Sequence, residues 1–484
     1  MKPILSTLLL AGALASSLPI VAQGGMVVKF SNLRDDASAF PAYVTFGGGG
    51  TLCATNLADN QPINKGAYYP ISILSAGVQI TKFDSGRIFI SLGSPLTSAN
   101  PGNGYAPNFN NPNLADFSTR WDKIEMTFEP AATNPDIPCN TTGPYTGGAN
   151  LSSQDFFSIP LQIVTSGGGK TPTNLTWRKG DAEVMHALGA FSNFAEITYQ
   201  NATGALACGN NGVVVPGVCA SSGNKVLRVI SPATVAPTNG GGTVYPTLAP
   251  YVTYLRTGNN GGPVQTTIQG NNGQFGNNDI QAYDLTATIY NSNTTIGGQA
   301  IKPGDLVLNG TVDNGSLGTE SFAIYVAADN LTDTVLYGAN PAFKIIVGED
   351  IKGVANKVIA DYFAAINFGF AGSHTDNPAR PGTSIGNSPS WTWYGNNPNG
   401  INQPALLITQ AFAFAQPTQT FYNRYAAYLT GVSDTYGFPY NDRVQSPLAP
   451  LAGGSTMVIN ILPDQLLGVS ESPADHTPFH APRR

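Results

Sequence analysis

Residues 121–129 read Trp121-Asp-Lys-Ile-Glu-Met-Thr-Phe-Glu129, a run in which polar and apolar side chains alternate. Because successive side chains of a β-strand point to opposite faces, this spacing predicts a strand with Ile124, Met126 and Phe128 in the core. The opposite face then carries Lys123, Glu125, Thr127 and Glu129. The stretch therefore predicts a β-sheet that is apolar on one side and bears carboxylates on the other.

Similar short segments lie on either side of this run, over residues 26–30, 42–46, 87–92 and 159–164. Gly, Asn and Pro separate them, and many short strands punctuated in this way are typical of a β-sandwich or barrel. Helical patterns begin only at residue 180. They cover residues 180–195, 250–257, 351–369 and 406–429. We therefore predict a mainly β fold that continues into a mixed α/β part.

A second acid, Asp155, stands before the apolar segment 156–161. If its strand neighbours the first one, Glu125 and Asp155 share a cleft. Glycoside hydrolysis needs such a pair, one acid to protonate the leaving oxygen and one carboxylate to attack carbon or activate water. The alternative is that Glu125 lies on a solvated strand face and Asp155 caps a turn. Spacing alone favours this alternative.

The first residues of the chain predict a secretory signal peptide over residues 1–23. Met1-Lys2 is followed by an apolar stretch over residues 4–21 and small residues near 22–24. No second long apolar run follows, so we expect a secreted protein without a membrane anchor. Only 11% of the residues are charged and the net charge is -6, which argues against nucleic acid as a partner and favours a neutral substrate.

Four cysteines, an even number in an exported chain, predict two disulfides. We pair Cys53 with Cys139 and Cys208 with Cys219. The alternative is a metal site, but no C-x-x-C occurs and the chain has only four histidines. We therefore expect no metal.

Three segments, in this order, resemble thaumatin-like proteins. They are the Ile-Glu-Met-Thr-Phe run at 124–128, the segment 150–161 with Ser152 and Asp155, and Tyr-Gly-Phe-Pro-Tyr-Asn-Asp at 436–442. The chain is too long and too poor in cysteine for the plant members of that superfamily. It is more similar to glycoside hydrolase family 64, the endo-β-1,3-glucanases, over most of residues 26–463.

The resemblance implies a thaumatin-like β-sandwich or barrel plus a mixed α/β domain, with a wide groove between them. The expected boundaries are 24–230 for the β domain, completed by about 430–462, then 231–429 for the α/β domain and 463–484 for a disordered tail. Glu125 is then the general acid and Asp155 the base that activates water, with inversion and without cofactor. The implied partner is β-1,3-glucan, cut internally by a monomer into short oligosaccharides.

Further substrate contacts follow from the same resemblance or from ring chemistry. Thr127 and Ser152 match sugar-contacting hydroxyls, Glu129 stands where the family is expected to have Asn, and Tyr145 is the one aromatic candidate between acid and base. Asp442 is the only carboxylate of the last motif. Sugars stack on aromatic rings, so Trp391 and Trp393 form either a glucan-contacting patch or a buried cluster under their loop.

Two functions of different classes remain open. In the first, the protein is a secreted β-1,3-glucanase that needs Glu125 and Asp155. In the second, it keeps the fold but is a non-catalytic glucan-binding or cell-surface protein. The departures at Glu129 and Asn441 favour the second, whereas the two acids in their matching segments favour the first more strongly.

Overall fold

The structure is a computed structural model that describes residues 24–97, 107–109, 113–130, 139, 144–190, 206–215, 217–219, 223–234, 245–270, 282–313, 318–350, 353–377, 380–388, 390, 393, 412, 421–440 and 447–464. The predicted signal peptide, Trp391 and Asp442 lie outside these residues.

Twelve strands form the largest sheet. They are β1 Met26–Asn32, β2 Ala42–Gly48, β3 Leu52–Asn56, β4 Tyr68–Pro70, β5 Val78–Leu92, β6 Arg120–Pro130, β7 Tyr145–Ser152, β9 Leu161–Gly167, β10 Thr173–Leu175, β22 Thr435–Tyr436, β23 Ala449–Ala452 and β24 Ser455–Ile461. The main path runs β10-β9-β24-β1-β5-β6-β7-β22. Alternating side chains fill its core, including the predicted Ile124, Met126 and Phe128 of β6.

The remaining strands form smaller sheets. β8 Phe156–Phe157, β11 Leu206–Gly209 and β12 Lys225–Ile230 make a three-stranded sheet. A five-stranded antiparallel sheet contains β13 Thr266–Gly270, β14 Tyr283–Ile289, β17 Leu306–Asp313, β18 Thr319–Val326 and β19 Lys344–Val347. Two hairpins are β15 Thr294–Ile296 with β16 Gln299–Ile301 and β20 Asp376–Asn377 with β21 Arg380–Ser384.

The helices belong to the later part of the chain, as predicted. Those whose full extent is described are α1 Asp181–Ala190, α2 Ala249–Thr257, α3 Asp333–Gly338, α4 Val354–Phe368 and α5 Arg424–Val432, and most of the helix predicted over 406–429 lies outside the described residues. Short 3-10 turns cover Ile71–Leu74, Ala115–Ser118, Ala328–Asn330 and Ile385–Asn387. In the described ranges, no helix combines the length and apolar character needed to cross a bilayer.

The large sheet is nearly closed into a barrel. Trp177, just after β10, bridges Ser433, just before β22. Arg178 N donates to the Val432 carbonyl at 2.8 Å, and Asp434 N donates to the Thr176 carbonyl at 3.0 Å. These contacts join the two ends of the strand order, so the mainly β, barrel-like fold expected from the sequence is confirmed.

The cysteines form the disulfides Cys53–Cys139 and Cys208–Cys219, the two pairs named from the sequence. The first residues of the expected disordered tail differ from the prediction. Asp464 forms an ion pair with Arg34, and Arg34 is buried near the first strand. The boundary at residue 463 was therefore placed too early, because a buried arginine needs a carboxylate beside it.

Strand β24 tests how far the barrel depends on its last strand. Ile459 is fully buried, whereas the side chain of Val458, one residue earlier, is on the other face and partly exposed. We expect Ile459→Ala to lower the free energy of unfolding by about 2–5 kcal/mol, because it leaves a cavity in the core. Val458→Ala, the matched control, should cost clearly less. Urea unfolding of both variants measures this, and equal losses would contradict it.

Candidate active site

Glu125 lies on the face of β6 that is turned away from the core, as the alternation predicts. It is paired in register with Arg87 of β5 and Asn150 of β7. Arg87 Nε is 3.4 Å from Glu125 Oε1, and the two side chains are 41% and 28% exposed. An ion pair this exposed contributes little to stability, so the arginine is free to exchange the carboxylate for another partner.

An open groove of about 480 Å³ runs over this face. Its lining includes Ser85, Arg87, Glu125, Thr127, Asn150 and Leu448. Its shape depends on Gly148 of β7, where an added Cβ would come 2.7 Å from Leu448 Cδ1. The volume lies in the range of small-molecule sites, so the groove is large enough for part of an oligosaccharide.

Asp155 follows β7 and directly precedes β8. Its carboxylate forms an ion pair with Lys123 of β6 and is 34% exposed. Its carbonyl accepts hydrogen bonds from Ser231 N and Thr234 Oγ1, both at 2.8 Å. Side chain and main chain of Asp155 are thus both held, while part of the carboxylate faces solvent.

Lys123 pairs with Asp155 and lies on the same strand as Glu125. It precedes Glu125 by two residues on the same face of β6, and its side chain is only 4% exposed. The ammonium lies 5.7 Å from the centroid of the Phe156 ring. Phe89 of β5 stands opposite Lys123 in the register and is also buried. Sequence analysis placed Lys123 on the acidic face but gave it no role.

A second layer of buried charge fixes the segment after Asp155. The Asp122 carboxylate accepts hydrogen bonds from Ser158 N at 2.8 Å, Ile159 N at 3.0 Å and Lys123 N at 2.8 Å. Burial raises the pKa of Asp122 to about 6, although these hydrogen bonds and the Lys123 charge oppose the shift. Asp122 therefore ties β6 to the strand that starts at Phe156.

Arg228 of β12 closes this layer. It is fully buried and donates to the carbonyls of Phe117 at 2.8 Å and Thr119 at 2.5 Å. Burial lowers the pKa of its guanidinium to about 9, and the nearby Asp122 opposes that shift. The guanidinium carbon is 5.8 Å from the Phe156 ring centroid. Phe156 thus contacts one buried cation from β12 and another from β6.

The predicted hydroxyls have different surroundings. Thr127 lines the groove, and Glu129 follows on the same face, partly exposed. Ser152 is buried at the end of β7, and its Oγ has no hydrogen-bond partner among the described residues. Tyr436 of β22 pairs in parallel with Ser152, and its carbonyl accepts from Ser153 N at 2.9 Å. The last sequence motif therefore begins beside the second.

Two aromatic candidates were wrong as substrate contacts. Tyr145 is buried and stacks on Phe128, with 5.5 Å between ring centroids. Trp393 has no exposed surface, and its indole N–H donates to the Ile385 carbonyl at 2.8 Å. Neither ring offers a face to a sugar, because both belong to the hydrophobic core. Trp393 therefore matches the other interpretation given above, a buried cluster under its loop.

A smaller cavity of about 200 Å³ lies elsewhere, beside Arg34, Arg120 and Asp464. These groups already have partners, since Arg34 and Arg120 both approach Asp464, and Arg120 also pairs with the buried Asp181. Burial raises the pKa of Asp181 to about 7, whereas the arginines and Asp181 hold the pKa of Asp464 down at about 2. This cluster of charged residues links the end of β24 to α1. It contributes no residue to the groove over β5, β6 and β7.

The model of glycoside hydrolase family 64, described as β-1,3-glucanase, matches residues 41–286, just over half of the 484-residue chain. A β-1,3-glucanase domain of that family from Clostridium beijerinckii shares 16% identity at a TM-score of 0.48, covering 92% of this chain and 100% of its own. A laminaripentaose-producing β-1,3-glucanase in complex with laminaritetraose shares 16% identity at 0.47, covering 91% and 99%. No curated protein matches.

Asp122 gives the fold a measurable pH dependence. Between about pH 4 and 6 the folded protein keeps a proton on Asp122 that the unfolded chain has released, so the free energy of unfolding falls as pH rises. The difference between about 6 and the ordinary value of 3.8 corresponds to about 3 kcal/mol.

We therefore expect Asp122→Asn to remove the Asp122 contribution to this fall and to leave that of Asp181, as measured by urea unfolding at several pH values from 4 to 7. Asp35→Asn, at an exposed position, is the control. Wild-type and Asp122→Asn curves that stay parallel across the window would contradict the assignment.

Proposed function

Because the chain belongs to glycoside hydrolase family 64 and is an endo-β-1,3-glucanase, we propose that it cleaves β-1,3-glucan in the groove over β5, β6 and β7. Glu125 is the general acid and Asp155 the general base. The protein acts outside the cell, and its products are short oligosaccharides.

One contact is the main support for Glu125 and Asp155 as the acid and base. Lys123, two residues from Glu125 on one face of β6, forms an ion pair with Asp155. The acids come from separate segments, and the lysine paired with Asp155 shares a strand face with Glu125. Residues two apart on a strand are about 6.6–6.8 Å apart along its axis, which supports the proposal that both acids act at one site.

The two carboxyl groups differ in their surroundings. Glu125 lines the open groove, where a glucan oxygen can approach it, and its present partner Arg87 is loosely held. Asp155 is restrained by a buried lysine and by hydrogen bonds to its carbonyl. A mobile acid within the groove suits protonation of the leaving group, and a fixed carboxylate suits the orientation of a water.

In the proposed reaction, Glu125 gives its proton to the glycosidic oxygen as the bond from that oxygen to the anomeric carbon breaks. A water attacks the opposite side of that carbon and loses a proton to Asp155, so the configuration inverts. Solvent returns the proton to Glu125 and removes the one on Asp155. Each turnover consumes one water and needs no cofactor.

The groove also suggests how the chain of sugars is held. Thr127 and Asn150 flank Glu125 and offer hydroxyl and amide groups to sugar hydroxyls, while Leu448 offers an apolar surface. When a sugar displaces the Arg87 guanidinium from Glu125, the guanidinium donates to the neutral sugar instead. Two disulfides fit the oxidising compartment that secretion would provide.

We expect Glu125→Gln and Asp155→Asn each to lower kcat on linear β-1,3-glucan by about 10²–10⁴-fold, since each removes one proton transfer. Glu183→Gln, on the exposed face of α1, should keep wild-type activity. Reducing-sugar release from β-1,3-glucan, with cellulose and chitin as controls, measures the loss. Proton NMR of the first product tests inversion, because inversion at a β-linkage gives the α-anomer.

Retained activity in either variant would refute that residue's role. A wild-type protein that binds β-1,3-glucan without cleaving it would instead favour the non-catalytic glucan-binding function. A first product in the β configuration would refute inversion while leaving the acid pair in place.

A further inference from the structure

Lys123 is a buried cation in a position where a sheet face would ordinarily carry a solvated one. Only 4% of its side chain is exposed, and Phe89 and Phe156 cover it. Removing an ammonium from water costs several kcal/mol, and pairing it with a carboxylate often returns no more than that. Stabilisation of the fold alone is therefore a weak explanation for the Lys123–Asp155 ion pair.

The contacts of this pair point towards orientation. Lys123 Nζ donates to one oxygen of the Asp155 carboxylate, Oδ2. The Asp155 carbonyl is held by Ser231 N and Thr234 Oγ1, which limits rotation of the segment. With Oδ2 occupied and the backbone fixed, the other oxygen, Oδ1, has no hydrogen-bond partner among the described residues and can bind a water.

The lysine itself is held from the far side. Its backbone N–H donates to Asp122 Oδ1 at 2.8 Å, and Asp122 Oδ2 accepts from Ser158 N and Ile159 N just beyond Asp155. The strand that carries Lys123 and the segment that carries Asp155 are thus joined twice, once by the ion pair and once by Asp122.

We propose that Lys123 is a positioning residue for the general base: it holds Asp155 Oδ2 so that Oδ1 faces the water that attacks the anomeric carbon. This inference rests on the proposed role of Asp155. Lys123 neither gives nor takes a proton in the reaction. The water proton goes to Asp155 Oδ1, and the water oxygen forms the new bond to carbon.

The test begins with Lys123→Met, which keeps an unbranched side chain one atom shorter and removes the charge. We expect kcat to fall on the order of 10²-fold, since a small misplacement of a reacting group costs about that much. KM should stay near the wild-type value because Lys123 does not line the groove. Lys82→Met, which removes a lysine of equal burial on β5, is the matched control and should leave kcat unchanged.

A double-mutant cycle separates positioning from a structural effect. If Lys123 acts through Asp155, then adding Lys123→Met to Asp155→Asn lowers kcat no further. In Lys123→Ala, a small primary alkylammonium ion added to the assay should restore part of kcat. Thermal melting of each variant shows that the measured enzyme is folded.

The outcomes distinguish this inference from the function on which it rests. An active Asp155→Asn refutes the base assignment and the inference together. An inactive Asp155→Asn with fully active Lys123→Met refutes the inference alone. Equal losses from Lys123→Met in both backgrounds, or a loss that alkylammonium does not restore in Lys123→Ala, also refute it.

Discussion

Strand β6 has to satisfy two environments at once, and the rest of the site depends on this constraint. Its even-numbered apolar residues, Ile124, Met126 and Phe128, are sealed in the barrel core. Of its odd-numbered residues, Glu125 and Thr127 line the groove, and Lys123 is buried further along the same face. Because the period of a strand is two residues, a slip of one position would bury Glu125 and expose the core. The register with β5 and β7 therefore fixes the position of the acid.

Three buried charged residues come together beside the segment that starts at Phe156. Lys123 and Arg228 lie against the Phe156 ring, and Asp122 binds the backbone of Ser158 and Ile159 just beyond it. Each of them is matched by an opposite charge, backbone groups or a ring face. Such a layer supports the segment after Asp155, because a satisfied buried polar network is rigid.

Much of this architecture could be predicted from sequence, and the failures have physical reasons. Alternation located β6 and its polar face correctly, because strand period depends only on local geometry. It could not show that Lys123 is covered, because the cover comes from Phe156, which is remote in sequence. Tyr145 and Trp393 were misjudged for the same reason. An aromatic side chain suits a sugar site and a core equally well, and only packing distinguishes the two.

The parallel pairing of β24 with β1 has a consequence for biogenesis. Val27 lies beside Thr456, and Asn32 lies beside Ile461, so the first strand pairs with one made more than four hundred residues later. Contacts of such long range form slowly, because a large loop must close before they stabilise anything. During synthesis, the edge of β1 that pairs with β24 stays unpaired and prone to aggregation until β24 emerges. The barrel is thus completed only after β24 has been synthesised, and a chain that stops before β24 would leave this edge unprotected.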